Sequence, residues 1–452
     1  MDRFTERQIP RFNPQWSGQD LFGHSPEPRQ REAMDDIEGY MALRQMLVIS
    51  GPRRAGKTTV MKLLMKGLMD TGTEPQRIMY YSFDEVGQKE PGVVDDVISF
   101  FLEKICPSRP TAGKKAYLFL DEVQYVPYWA TMLKRFYETV PHLKMVVSGS
   151  SSLEVSRGSG ESLAGRRFDF TVLPLSFREY LSFTGLSLPK VPLTADERDL
   201  KGDIIVHGGT AKSRLDDYLV RGGFPETVGL PSTEIVHQYL SESVLGKVIG
   251  FDIPMVESVR NPAMMRSLLD IIASISSRTF ELGNMGSSLG LTRQTISSYV
   301  SMLERAHIVS VCPNYTKSKV KQARTAKRIY ITDPGLMSSL MGFGDSVSGP
   351  DLGRLAETAV YGHLSRVSDP YFWRDARGNE VDIVLADGKE VVPVEVKYQR
   401  GINKGDAKGL VRFCEAHGVK DPIMVTRDTS GTMEVGGYVI RLVPMWRALL
   451  SV

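Results

Sequence analysis

The sequence predicts an α/β protein: a domain built on a mainly parallel sheet, followed by smaller units. Two patterns and the chain length carry this reading. Short apolar runs that end in turn residues recur at LVIS before Gly51, at RIMYYSF (core 78–83), at YLFL (117–120) and at KMVVSGS (144–150). Helix-like stretches separate them, namely TTVMKLLMKGLMD, VVDDVISFFLEKI and YWATMLKRFYETV. Strands alternating with helices of this length need crossover connections, and hence parallel pairing. The chain has 452 residues, enough for roughly three domains.

The elements follow in order. Residues 1–30 are polar and contain Pro, and read as an extended arm. Residues 31–46 read as a helix, and the sheet domain occupies 31–190. Residues 191–262 are mixed, with a GGFPE turn at 222–226 and helix near 233–249, and form a helical lid or linker. Residues 263–348 read as helices followed by a hairpin. After the Gly/Ser-containing GFGDSVSGPDLG link, 349–452 holds a helix, the strands EVDIVLA and EVVPVEVKY around Asp387-Gly388, and a further helix.

Composition excludes several classes. Hydrophobic residues are 42%, charged 24% and aromatic 9%, values of a globular chain rather than a disordered one or a rod. A net charge of +3 is too mild to name a partner, so only local clusters can. Three cysteines without a C-x-x-C argue against a disulfide framework or structural zinc, and fit a reducing, cytoplasmic compartment. No apolar run approaches a membrane span, and the first 30 residues lack the apolar core of a signal peptide.

Gly51-Pro52-Arg53-Arg54-Ala55-Gly56-Lys57-Thr58-Thr59 matches G-x-x-x-x-G-K-[ST] in full, between a strand and a helix. The glycines let the backbone wrap phosphate oxygens, and successive N–H groups at a helix N-terminus supply partial positive charge. Lys57 is expected to reach the β- and γ-phosphates, and the Thr58 hydroxyl to ligate Mg2+. Asp121-Glu122 emerges from the YLFL strand, where α/β sheets bind ligands. Asp121 is expected to hold Mg2+, and Glu122 to orient and deprotonate water; the pair also fits a helix N-cap with an acidic first turn. Ser148 ends the next strand and is a candidate contact to the γ-phosphate or the water, or simply a turn residue. Arg166 and Arg167 form a basic pair, either a surface salt-bridging pair or the source of an arginine finger acting in trans.

The series GPRRAGKTT, YLFLDEVQ, VSGSSS, SLAGR, LPLSFREY and GGFPE resembles a widespread prokaryotic family of AAA-like P-loop ATPases, from about Pro10 to Val396. In that family the ATPase is fused to a C-terminal domain of unknown function. The resemblance implies ATP and Mg2+ as cofactors. Its SLAGR string makes Arg166 the better finger candidate, and a finger in trans implies a homo-oligomer.

Residues 280–303 (FELGNMGSSLGLTRQTISSYVSML) keep helical spacing around a Gly290 turn, with Thr292 as N-cap of a second helix and Arg293, Gln294 and Ser297 facing outward. IVSVC and RIYITD then flank a loop with Lys317, Lys319, Lys321, Arg324, Lys327 and Arg328, and no acid from Ala306 to Thr332. Helix-turn-helix plus basic wing is a DNA-binding pattern. The same loop also fits a solvated surface on a protein-packing module. The resemblance implies a winged-helix fold here more firmly than it implies DNA contact.

In the last unit, Glu395 and Lys397 share a strand face, and the Asp387-Gly388 turn can bring Asp382 beside Glu395. Two carboxylates with an adjacent lysine suit a hard cation, Mg2+ or Mn2+. Alternating charges on an edge strand would look the same. Asp382, Glu395 and Lys397 resemble the core of the PD-(D/E)xK nuclease fold, and Glu357 resembles the acidic residue of its first helix. This implies an endonuclease-like site with Asp382 and Glu395 as metal ligands. The combined expectation is a Mg2+-dependent ATPase acting on DNA with a nuclease-like C-terminal domain. A second reading is an ATP-controlled switch that binds a protein partner, its last domain catalytically silent. A nucleotide kinase fits less well, since no acceptor-binding lid motif is visible.

Overall fold

The computed structural model describes residues 3–23, 28–84, 92–149, 163–200, 202–257, 259–318, 322, 325–347, 349–388 and 390–452. They form two compact units, 1–173 with 252–258, and 174–251 with 259–452.

The first unit is built on five parallel strands: β1 (Met46–Ser50), β2 (Ile78–Ser82), β3 (Ala116–Asp121), β4 (Leu143–Ser148) and β5 (Arg167–Thr171). Their order is β2-β3-β4-β1-β5. The four predicted apolar runs are the first four strands, and β1, β2 and β4 are buried at every residue, as strands covered on both faces must be. Alternate residues feed two cores. Val48, Leu118 and Val147 pack with Val94, Val97 and Leu133 on one face. Ile49, Phe119 and Val146 pack with Val60, Met61 and Leu64 of the Lys57–Asp70 helix on the other. The strand β5 has no counterpart in the sequence reading, because RFDFT alternates polar and aromatic residues at a sheet edge and makes no apolar run.

The arm expected to be extended is instead helical at Arg3–Phe12, with a short turn of helix at Pro14–Ser17. Its reason is the opposite sheet edge. Asn13 donates from Nδ2 to the Tyr80 carbonyl and accepts at Oδ1 from the Tyr80 amide, both at 2.8 Å, and the Trp16 indole donates to the Ile78 carbonyl at 2.9 Å. Side chains thereby satisfy an edge strand that would otherwise present bare backbone.

Because β4 lies between β1 and β3, the carboxyl ends of these three strands are neighbours. The phosphate-loop motif, Ser148 and Asp121 therefore share one rim of the sheet, where α/β sheets place ligands.

The second unit begins earlier than the boundary near 190. Leu175, Phe177, Leu181 and Leu188 are buried in one core with Ala356, Ile383 and Val394, so the LPLSFREY segment belongs to this unit. The chain from Pro262 runs helix (Pro262–Ser274), β6 (Arg278–Phe280), helix (Leu282–Leu289), helix (Arg293–Arg305), β7 (Val309–Pro313) and β8 (Lys327–Ile331). The three strands form an antiparallel sheet with β8 in the middle. Thr292 caps the Arg293–Arg305 helix by accepting from the Thr295 amide, and Gly290 takes the left-handed turn at φ 65°.

The last stretch forms a six-stranded sheet of β9 (Tyr371–Arg374), β10 (Glu380–Asp387), β11 (Glu390–Lys397), β12 (Ile423–Thr426), β13 (Gly431–Val435) and β14 (Tyr438–Pro444), in the order β13-β14-β12-β11-β10-β9. The Gly349–Leu364 helix covers one face through Ala356, Ala359 and Val360. The Lys408–His417 helix covers the other through Leu410 and Phe413. Gly409 lies so close to β10 that a Cβ would stand 1.8 Å from the Glu380 carbonyl oxygen. Gly409→Ala is therefore expected to destabilise this unit by roughly 1–3 kcal/mol, read as a lower urea midpoint at unchanged slope.

Candidate functional site

The loop between β1 and the Lys57–Asp70 helix has the backbone its motif demands. Gly51 has φ 143°, and a Cβ there would lie 2.1 Å from the Val172 carbonyl oxygen. Gly56 has φ 98°, and Arg54 is also left-handed at φ 67°. Only glycine takes the first two positions without strain. Lys57 is 4% exposed, and its ammonium donates to the Gly51 and Pro52 carbonyls at 3.1 Å each. The lysine is thus already folded over the loop.

Asp121 is buried and gathers hydroxyls from three other elements. Thr58 donates to Oδ2 at 2.6 Å, Tyr80 donates to Oδ2 at 2.7 Å, and Ser148 donates to Oδ1. The Thr58 hydroxyl and Asp121 carboxylate, the two groups expected to hold Mg2+, are therefore in direct contact. This oxygen pair at the mouth of a glycine-lined loop fits a hard divalent cation. Ser148, read as a contact to phosphate or water, bonds here to Asp121. Glu122 follows in the left-handed region at φ 54°, an uncommon conformation for a non-glycine residue and one that clusters at functional sites. Burial pushes its carboxyl above the ordinary range, the Lys57 ammonium opposes that, and Asp121 adds to it. The Gln124 amide donates to Oε2 and favours the ionised form.

Two residues near this loop escaped the sequence reading. Asp252 is 5% exposed and pairs with Arg53 at 3.2 Å; the Tyr125 hydroxyl lies 3.5 Å from the same oxygen. It is distant in sequence, in a segment without a motif, so only folding reveals it. The Tyr80 contact is likewise invisible in RIMYYSF, where it reads as one more apolar strand position.

Arg166 lies at the other end of the sheet. Its carbonyl accepts from the Met46 amide at the start of β1, and its guanidinium pairs with Glu138 at 3.1 Å. Since β1 runs away from it toward Gly51, Arg166 is on the rim opposite its own phosphate loop. Arg167 pairs with Asp169 at 3.2 Å.

In the second unit, Arg293, Gln294 and Ser297 are exposed on one helix face, and Lys317 and Lys327 are exposed. Lys319, Lys321 and Arg324 lie outside the described residues. Arg328 corrects the expectation of a DNA contact: it is 4% exposed. In β8 successive side chains alternate faces, so Arg328 points inward with Tyr330 while Lys327 points out. Its guanidinium bonds to Glu357 Oε1 and Asp382 Oδ1 at 3.1 Å each, and to Glu380 Oε2 at 2.5 Å.

The expected C-terminal cluster assembles around that arginine. Asp382 Oδ2 accepts from the Val396 amide at 3.0 Å, and Lys397 donates to Glu395 Oε1 at 2.5 Å. Tyr330 donates to Glu357 Oε1 at 2.9 Å, and Arg374 pairs with Glu380 at 3.1 Å. Burial first, and the Asp382 charge second, push Glu357 and Glu395 each up to about 8. Glu357, Asp382, Glu395 and Lys397 thus lie near one another around Arg328. The arrangement does not fit the expected metal, because a guanidinium stands on Asp382 and Glu357. Among the described residues, no group of three or more His, Cys, Asp or Glu side chains is arranged to hold an ion.

Comparison with known proteins agrees with the first unit. Residues 43–181 match the family described as AAA domain. The first unit is accordingly of the AAA-like, P-loop NTPase kind. Residues 212–347 and 352–447 match two families each described as a domain of unknown function. Similar curated proteins include an uncharacterized protein of Methanocaldococcus jannaschii, 23% identical over 92% of this chain and 90% of its own. Another, from Haemophilus influenzae, is 21% identical over 88% and 93%. A third, from Mycobacterium tuberculosis, is 24% identical over 79% and 71%. A DNA polymerase III gamma subunit-related protein of Thermotoga maritima aligns structurally with 13% identity and a TM-score of 0.28, covering 61% of this chain and all of that one. No helix among the described residues is long and apolar enough to cross a membrane.

Tyr80→Phe removes one donor from Asp121 without touching the phosphate loop. It is expected to raise the Mg2+ concentration needed for half-maximal nucleotide turnover by roughly 10–100-fold, with the ATP requirement little changed, as checked by Mg2+ titration at saturating ATP.

Proposed function

We propose that the chain is a Mg2+-dependent ATPase whose turnover is coupled to DNA binding. The observation that carries this is the contact of Thr58 with Asp121 at 2.6 Å beneath a complete phosphate loop. Bound magnesium supplies charge neutralisation on the β- and γ-phosphates. Thr58 and Asp121 would hold it. The amides of Gly51 to Thr59 and the Lys57 ammonium bind the phosphate oxygens. Glu122, whose carboxyl is held above the ordinary range, takes the proton of the attacking water. Tyr80 and Ser148 keep Asp121 oriented. Arg166 faces away from its own loop, so as an arginine finger it would serve a neighbouring copy, in a homo-oligomer. Three free cysteines, Cys106, Cys312 and Cys414, accord with a reducing cytoplasm as its place.

For DNA, we read the helix–strand–helix–helix–strand–strand order from Pro262 to Ile331 as a winged helix, its helix-turn-helix offered to the duplex. Arg293, Lys317 and Lys327 are among the exposed cations of its described residues. The C-terminal sheet, with Glu357 on its helix and Asp382, Glu395 and Lys397 on adjacent strands, is read as PD-(D/E)xK-like. One observation favours the second reading, an ATP-controlled switch with a silent last domain: Arg328 seated among those carboxylates.

Lys57→Ala is expected to abolish ATP binding, and Glu122→Gln to retain ATP while lowering turnover by roughly 10²–10⁴-fold. Wild-type turnover in either variant would reject the assignment. For DNA, each charge reversal, Arg293→Glu or Lys327→Glu, should reduce the slope of log affinity against log salt by about 1. A slope that stays put in both, measured by fluorescence anisotropy on duplex DNA, removes the winged helix from the interface.

A further inference from the structure

Most carboxylate oxygens of the C-terminal cluster already meet a donor from within the chain. Asp382 gives Oδ1 to Arg328 and Oδ2 to the Val396 amide. Glu357 Oε1 takes both Arg328 and Tyr330. The two oxygens of Glu380 go to Arg328 and Arg374. Glu395 gives Oε1 to Lys397, and only its Oε2 is buried without a partner. The guanidinium also lies over the Phe372 ring, 5.0 Å from its centroid, which shields it from water on that side.

The chemistry of the occupant matters. A divalent cation needs several oxygens at 2.0–2.6 Å, whereas the oxygens around Arg328 stand at N–H donor distances. A guanidinium does not deprotonate in proteins, so no pH change clears the site. Its positive charge would also repel an incoming cation. Arg328 lies on the middle strand of its sheet, paired with Thr279 on β6 and Cys312 on β7, so it does not swing out as a surface side chain would. Withdrawal means moving the hairpin.

We propose that Arg328 is the resident cation of the C-terminal cluster and excludes a divalent metal from it, so that β8 is a latch over a latent Mg2+ or Mn2+ site. The inference rests on the nuclease-like reading only for the identity of the excluded ligand. It predicts that removing the guanidinium exposes Asp382 and Glu395 as ligands.

The test is Mn2+ binding by full-length, nucleotide-free protein, followed by electron paramagnetic resonance, with cleavage of plasmid DNA scored in parallel. Wild-type protein should show no Mn2+ binding that depends on Asp382. Arg328→Met should gain one Mn2+ site and lose it again in Arg328→Met/Asp382→Asn. Should Arg328→Met melt early, Mn2+ should raise its melting temperature by more than it raises that of Arg328→Met/Asp382→Asn. The charge-reduced Arg328→Met/Glu357→Gln should likewise gain the site. Mn2+ binding in the wild type that Asp382→Asn removes would overturn the proposal. So would the absence of any gained site and of any Asp382-dependent thermal response in both Arg328 variants. A variant that binds Mn2+ yet leaves DNA intact upholds the latch and removes the nuclease reading, so the two fail separately.

Discussion

A charge taken out of water must meet an opposite charge or a set of hydrogen-bond donors, because the alternative costs several kcal/mol. That constraint organises both units. In the first, Asp121 is 2% exposed and draws in Thr58, Tyr80 and Ser148, tying the phosphate-loop helix, β2 and β4 to the end of β3. In the second, Arg328 draws in Glu357, Glu380 and Asp382, tying the small antiparallel sheet to the Gly349–Leu364 helix and to β10. The two clusters are inverse solutions, one anion served by neutral donors and one cation served by anions.

The difference bears on what each cluster can bind. Hydroxyls around Asp121 are themselves oxygen ligands or can turn aside, so a cation entering there replaces hydrogens rather than a charge. Arg328 is a fixed positive charge, and a metal would have to replace it outright. One acidic site is therefore poised for a divalent ion, and the other is already neutralised from within the chain.

Much of this was legible in the residues. Four of five strands of the first sheet announce themselves as apolar runs, since parallel strands buried on both faces need continuous hydrophobicity. The phosphate loop is legible because glycine, lysine and threonine at that spacing serve local geometry within nine residues. Asp382, Glu395 and Lys397 can be grouped from the residues alone because a tight hairpin and strand alternation are local rules. The edge strand β5 and the helical arm were missed, because each is stabilised by a neighbour remote in sequence and carries no strong pattern of its own.

What the sequence by itself determined is the set of chemistries: a loop for phosphate, carboxylates at strand ends, cations in a run before RIYITD. What only the tertiary structure decided is which of those charges face water. Lys327 and Arg328 are adjacent letters in one basic run, yet one is exposed and the other is the counter-ion of three carboxylates. Asp252 and Arg53 meet across 199 positions. The physical reason is that local patterns set the direction of a side chain, while the partner it finds there depends on long-range packing.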